Sequence, residues 1–283
     1  MKQKIIFTTI FNVFALFSAG QSIAEVYLFA EKQFEAGNYI EALTEYQRVA
    51  FFDTDNRFEK IYEKTGDLFY ITGDFDSALR NYSIAARIEK SDSIKTEIHI
   101  KKAFCFFKQE NYLFAVNELM SAGAPKSDPL EEKLHLYTGV AWFGAEEYDE
   151  ALVSFGKLLP DEEVPGLENI FLQFEKKQKR FRPGKIETLS IIFPGLGQLY
   201  CGDITSGVNS VVLVGGLAAL GIWAWQTYGV LDALLSVGSW YYRYYTGGIQ
   251  NAKAAAHEKI AHEKEKTYLE IIHLMEKNLK PVP

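Results

Sequence analysis

The sequence predicts an all-α protein: a solenoid of paired helices, then a two-helix transmembrane hairpin, then an amphipathic C-terminal helix. Three observations carry this. A ten-residue pattern recurs four times at a nearly constant period. Further on, 28 residues from Ile204 to Leu231 carry no charge, more than the roughly 20 that a spanning helix needs. After them, Ile260, Tyr268, Ile271, Ile272, Met275 and Leu279 fall on or near one stripe of a charged helix.

The first 24 residues read as an export signal. Lys2 and Lys4 precede a short apolar stretch, Ile5 to Phe17, and Ser22-Ile23-Ala24 fits a small-x-small cleavage site before Glu25. An uncleaved anchor is the alternative. Either reading places the next segment outside the cytoplasm.

Residues 25–164 hold the repeats. The copies are GNYIEALTEY (37–46), GDFDSALRNY (73–82), ENYLFAVNEL (110–119) and EEYDEALVSF (146–155), aligned on Ala42, Ala78, Ala115 and Ala151. An aromatic stands three residues before each alanine: Tyr39, Phe75, Tyr112 and Tyr148. Four after it comes Tyr46, Tyr82, Leu119 or Phe155, and twelve before it Ala30, Gly66, Ala103 or Gly139. Small residues at fixed offsets let two helices cross closely, and the large ones beside them are expected to fill the core. One such pair cannot bury its apolar face alone, so the copies must stack.

These offsets resemble the tetratricopeptide repeat, a helix–turn–helix unit of about 34 residues. The resemblance implies a groove that holds a protein or peptide partner, and no catalysis. Gln33, Lys64, Asp67, Lys101 and Lys102 are candidates to face that groove. Residues 165–185 read as a capping helix running into a basic hinge.

Charge is unevenly spread. Residues 25–170 hold 15 Lys/Arg against 28 Asp/Glu, whereas 171–185 hold six basic residues and only Glu175. An acidic body argues against nucleic acid as a partner. Cys105 and Cys201 lie at no metal spacing and read as small apolar side chains. No metal, no cofactor and no enzymatic constellation is expected.

Residues 186–248 begin with FPGLGQLYCGD (193–203). A dinucleotide loop needs a third glycine where Tyr200 stands, and a P-loop needs a Lys absent between Lys185 and Lys253. The glycines therefore read as backbone geometry at a membrane entry. A second apolar run, 230–245, closes in Trp240, Tyr241, Tyr242, Tyr244 and Tyr245, and Trp223 and Trp225 mark the other interface. The stretch is similar to small bacterial membrane domains with P-G-x-G-Q-x-Y-x-G before a two-helix hairpin. Here the motif is Pro194, Gly195, Gly197, Gln198, Tyr200 and Gly202. That resemblance implies a membrane location, with membrane lipids as partners, and no known activity. Gln198 and Asp232 are the polar candidates, Asp232 either within the bilayer or as a turn residue at headgroup level.

Two functions follow as expectations. One is a membrane-tethered adaptor at a bacterial envelope, its repeats exported. The other is an accessory subunit of a transport or insertion machine whose hairpin, 186–248, is the working part. The tail, 249–283, is expected to dock on a partner helix or on the solenoid.

Overall fold

The computed structural model of the chain describes residues 22–55, 57–58, 60–123 and 128–278, and all regular structure among them is helical. The chain divides into two compact units, 1–157 and 158–283. Of the expected export signal, residues 1–21 lie outside the described residues. Ser22 caps the first helix: its hydroxyl accepts from the Glu25 amide at 3.2 Å, and its own amide donates to the Glu25 carboxylate at 3.0 Å. A cut after Ala24 removes that cap.

The first unit is four helix pairs: α1 (Ile23–Glu35) with α2 (Tyr39–Phe52), α3 (Ile61–Thr72) with α4 (Phe75–Ile88), α5 (Asp92–Lys108) with α6 (Tyr112–Met120), and α7 (Asp128–Gly144) with α8 (Tyr148–Gly156). Each second helix also packs on the first helix of the following pair. The four anchor alanines are fully buried, as are Ala30, Ala103, Tyr46 and Phe155. A methyl group on Gly66 would come within 2.6 Å of the Tyr82 ring, and one on Gly139 within 2.7 Å of Phe155. The residue twelve before the alanine and the one four after it thus meet across each pair.

The aromatics three before the alanine do something else. Tyr39 is 38% exposed, and Phe75, Tyr112 and Tyr148 are only half-buried. Each opens its helix, so it reaches back to the end of the helix before: Tyr39 to Phe34, Phe75 to Tyr70, Tyr112 to Phe107 and Tyr148 to Phe143, with ring centroids 5.4–6.2 Å apart. They staple the turn at the edge of the core, Phe75 against the buried cluster around Ala78 and Tyr82 and Tyr112 against Gly144 of the next pair, and are not themselves fully buried.

Each turn has a left-handed residue two positions before its aromatic. Gly37 and Gly73 hold it in the first two copies; Glu110 (φ 57°) and Glu146 (φ 67°) hold it in the others. A side chain there costs on the order of 1 kcal/mol. Glu110→Gly and Glu146→Gly are therefore each expected to stabilise the first unit by about 0.5–1 kcal/mol, read from denaturant midpoints. A fall in midpoint for both would show that the glutamates make compensating contacts.

The second unit contains α9 (Val164–Arg180), α10 (Pro183–Ile192), α11 (Leu196–Cys201) and α12 (Ile204–Tyr228). After Gly229 come α13 (Val230–Ala233), a π-helical turn (Leu234–Gly238) and α14 (Ser239–Asn278), a helix of 40 residues. The stretch read as a basic hinge is helical except at Phe181 and Arg182, because Pro183 starts a new helix at once. The tail continues the helix begun at Ser239, crossing residue 249 without a break.

That tail docks on α9 and α10 of its own unit. Ion pairs Glu163–Lys277 (3.1 Å), Lys177–Glu263 (2.6 Å) and Glu187–Lys253 (3.5 Å) advance on one side as they retreat on the other. They define one antiparallel register in which charge alternates along both partners. Lys177, with Lys259 behind it, holds the Glu263 carboxyl below the ordinary carboxylate range. Nearer the motif, Ile186, Ala252 and Ala256 are fully buried together.

Among the described residues one helix, α12, is long and apolar enough to cross a membrane. Ile204, Val208, Val212, Leu220, Ile222, Trp223 and Trp225 on it are exposed, unlike those of a core helix.

Candidate functional site

In the first unit the polar candidates are already paired within the unit. Glu31 on α1 accepts from the Tyr46 hydroxyl at 2.6 Å and forms an ion pair with Lys64 on α3. One repeat on, Asp67 accepts from Tyr82 at 2.7 Å and pairs with Lys101 on α5 at 2.8 Å; Lys101 also reaches Glu63 at 2.7 Å. The next equivalent positions are Phe104 and Tyr137, whose rings meet edge to face at 4.8 Å. The rung changes chemistry as a set, because Leu119 replaces the tyrosine that would have bonded a carboxylate there.

Burial alone would raise the Glu31 carboxyl; Lys64 and Tyr46 outweigh it and hold it low. Burial would likewise raise Glu118, but His99 (2.6 Å) and Lys102 (2.6 Å) hold it low. Burial pushes the Cys105 thiol up to about 12, in keeping with a small apolar role. Gln33 accepts from Asn38 at 2.7 Å and braces the first turn. Of the five groove candidates, Lys64, Asp67, Lys101 and Lys102 form these internal ion pairs.

In the second unit the motif residues come together where α11 crosses its neighbours. Gly195 is left-handed (φ 86°), and a methyl group there would lie 2.3 Å from the Gly207 carbonyl oxygen on α12. One on Gly197 would lie 2.4 Å from Ser190 Oγ and 2.6 Å from the Ile186 carbonyl oxygen on α10. Gln198 is fully buried. Its amide donates to the Gly248 carbonyl on α14 at 2.7 Å, and its oxygen accepts from Ser190 at 3.2 Å; Ser190 in turn accepts from the Gly197 amide at 3.0 Å. Gly202 (φ 91°) ends α11. Pro194 precedes this knot at the end of α10.

Tyr200 alone of the motif side chains turns outward. Lys185 lies 3.4 Å from its hydroxyl, and Arg180 lies 5.5 Å from its ring centre. Lys185 and Arg180 hold its phenol below the ordinary range. Asp232 is exposed in the first turn after Gly229, beyond the far end of α12. Gln198 and Asp232 are thus separated by the whole of α12, on the order of 35 Å, and do not form one site.

Sequence reasoning missed Ser190 and Gly248, which complete these contacts from outside the motif. The pair Gly247-Gly248 was the available signal, since glycine within a helix marks a close approach. The chain matches no protein-family model, and no curated protein matches it.

Proposed function

We propose that this chain is a non-enzymatic, membrane-tethered adaptor. Four tetratricopeptide-type repeats hold a protein or peptide partner, and the glycine-motif hairpin anchors the complex in a bacterial envelope membrane with the repeats on the outer side. One observation carries the reading: an uncharged helix of 25 residues, its apolar side chains exposed, follows four copies of one helix pair on the same chain. Exposed apolar surface of that extent needs lipid or protein to cover it. The second arm, 230–245, crosses back beside α12, and the interfacial tryptophans and tyrosines fix the depth of both. In the alternative, an accessory subunit of a transport or insertion machine with the hairpin as its working part, Gln198 and Asp232 act at separate places, and Asp232→Ala abolishes function while membrane level and partner capture persist.

The test uses the full-length protein in membranes of its own cell. It is expected to resist carbonate extraction, and its repeats to be cut by protease added to spheroplasts. A photo-crosslinker at exposed Ile71 on α3 should capture one discrete polypeptide. Release by carbonate, protection from protease or no discrete crosslink each overturns the corresponding part.

A further inference from the structure

The two arms of the hairpin enclose a groove that changes character along its length. At the motif end a cavity of about 520 Å³ is lined by polar residues, among them Ser206, Asn209, Ser210, Arg243, Gln250 and Asn251, with no carboxylate. Along the same two helix faces lies a second, apolar cavity of about 320 Å³ between Leu217, Gly221 and Ile222 on one arm and Leu234, Val237 and Gly238 on the other. The π-helical turn 234–238 forms part of that wall.

Ser210 is only 9% exposed, and its hydroxyl has no hydrogen-bond partner. A helical serine ordinarily bonds the carbonyl four residues back; this one is turned toward α14, where a methyl group on Gly248 would lie 2.6 Å from its oxygen. Arg243 forms no ion pair among the described residues. An unpaired guanidinium, a buried free hydroxyl and side-chain amides in one acid-free cavity match an anion, and a phosphate group in particular. The apolar cavity matches a hydrocarbon chain. From Ser210 to Gly221 is about 16 Å of helix, close to the depth of one leaflet's hydrocarbon.

We propose that the groove binds one anionic phospholipid, its phosphate at Arg243 and Ser210 and one acyl chain along the Gly221–Gly238 crevice. The inference rests on the membrane placement proposed above. Lipid then does for the hairpin what a third helix would: it covers the opening between the arms and satisfies the Ser210 hydroxyl.

Native mass spectrometry of the full-length protein in neutral detergent, titrated with phosphatidylglycerol and phosphatidylcholine, tests this. One phosphatidylglycerol should be retained with about tenfold preference, the equivalent of one charge-assisted hydrogen bond. Arg243→Gln should abolish the preference. Gly221→Leu should weaken retention of both lipids, and circular dichroism should show both variants folded. Equal retention of the two lipids, unchanged binding in the two variants, displacement by soluble glycerol phosphate, or a dimer in place of the lipid adduct overturns the site. Should Gly221→Leu misfold, Arg243→Gln alone decides. A protein that washes off membranes in carbonate refutes the membrane reading itself; one that stays but shows no headgroup preference refutes only the lipid site.

Discussion

Gly195→Ala is expected to destabilise the second unit by about 3 kcal/mol or more. The left-handed backbone contributes about 1–2 kcal/mol, and overpacking about 1–3 kcal/mol more. The obstacle is the Gly207 carbonyl oxygen, which is backbone and cannot swing aside. Gly197→Ala meets the Ile186 carbonyl in the same way, without the left-handed cost. Gly202 and Gly216 supply the controls. Gly202 is left-handed with open space where a methyl group would go, so its alanine variant loses only about 1 kcal/mol. Gly216 lies within α12 with nothing near it, and Gly216→Ala should equal the parent or improve on it. Thermal unfolding of the full-length protein in detergent ranks the variants. A Gly195→Ala protein that melts with the parent would remove the crossing point as the reason for the motif.

In the first unit the largest effect belongs to Gly139→Leu. The Phe155 ring that it meets is fully buried and has no room to retreat, so a loss of about 3 kcal/mol is expected. Gly66→Ala is the informative contrast. Ala30 occupies the equivalent place in the first copy beside a tyrosine at the same offset as Tyr82, so one methyl group fits this geometry once the ring shifts. About 1 kcal/mol is expected there, read from urea midpoints. If Gly139→Leu were tolerated, the small residue and the ring would not be meeting across the pair.

The repeats were legible because each copy must solve the same packing problem, so the same residue sizes recur at the same offsets. Offsets cannot separate a core aromatic from one that staples a turn. Tyr39 and Tyr46 look alike in the pattern, yet one opens its helix and the other lies about two turns inside it. The left-handed turns at Glu110 and Glu146 were hidden for a related reason: without glycine nothing in the sequence marks the conformation. The motif glycines read as backbone geometry, but the pattern does not say what each one touches. Those partners, Ser190 at one end and Gly248 at the other, come from separate helices, and Gln198 reaches the second of them across 50 residues. Least visible was the register of the tail. Glu163, Lys177 and Glu187 look like ordinary surface charges until Lys277, Glu263 and Lys253 stand opposite them.

That register orders events during synthesis. Neighbouring helices of the first unit can close as they leave the ribosome, since each contact is local. The partner of Glu163 is Lys277, 114 residues on, and that of Glu187 is Lys253, so α9 and α10 must wait for most of the second unit to be made before their facing surfaces are covered. Between those moments the cell holds a half-made product with greasy helices uncovered, the state in which chaperones and membrane insertion machinery compete with aggregation for a nascent chain.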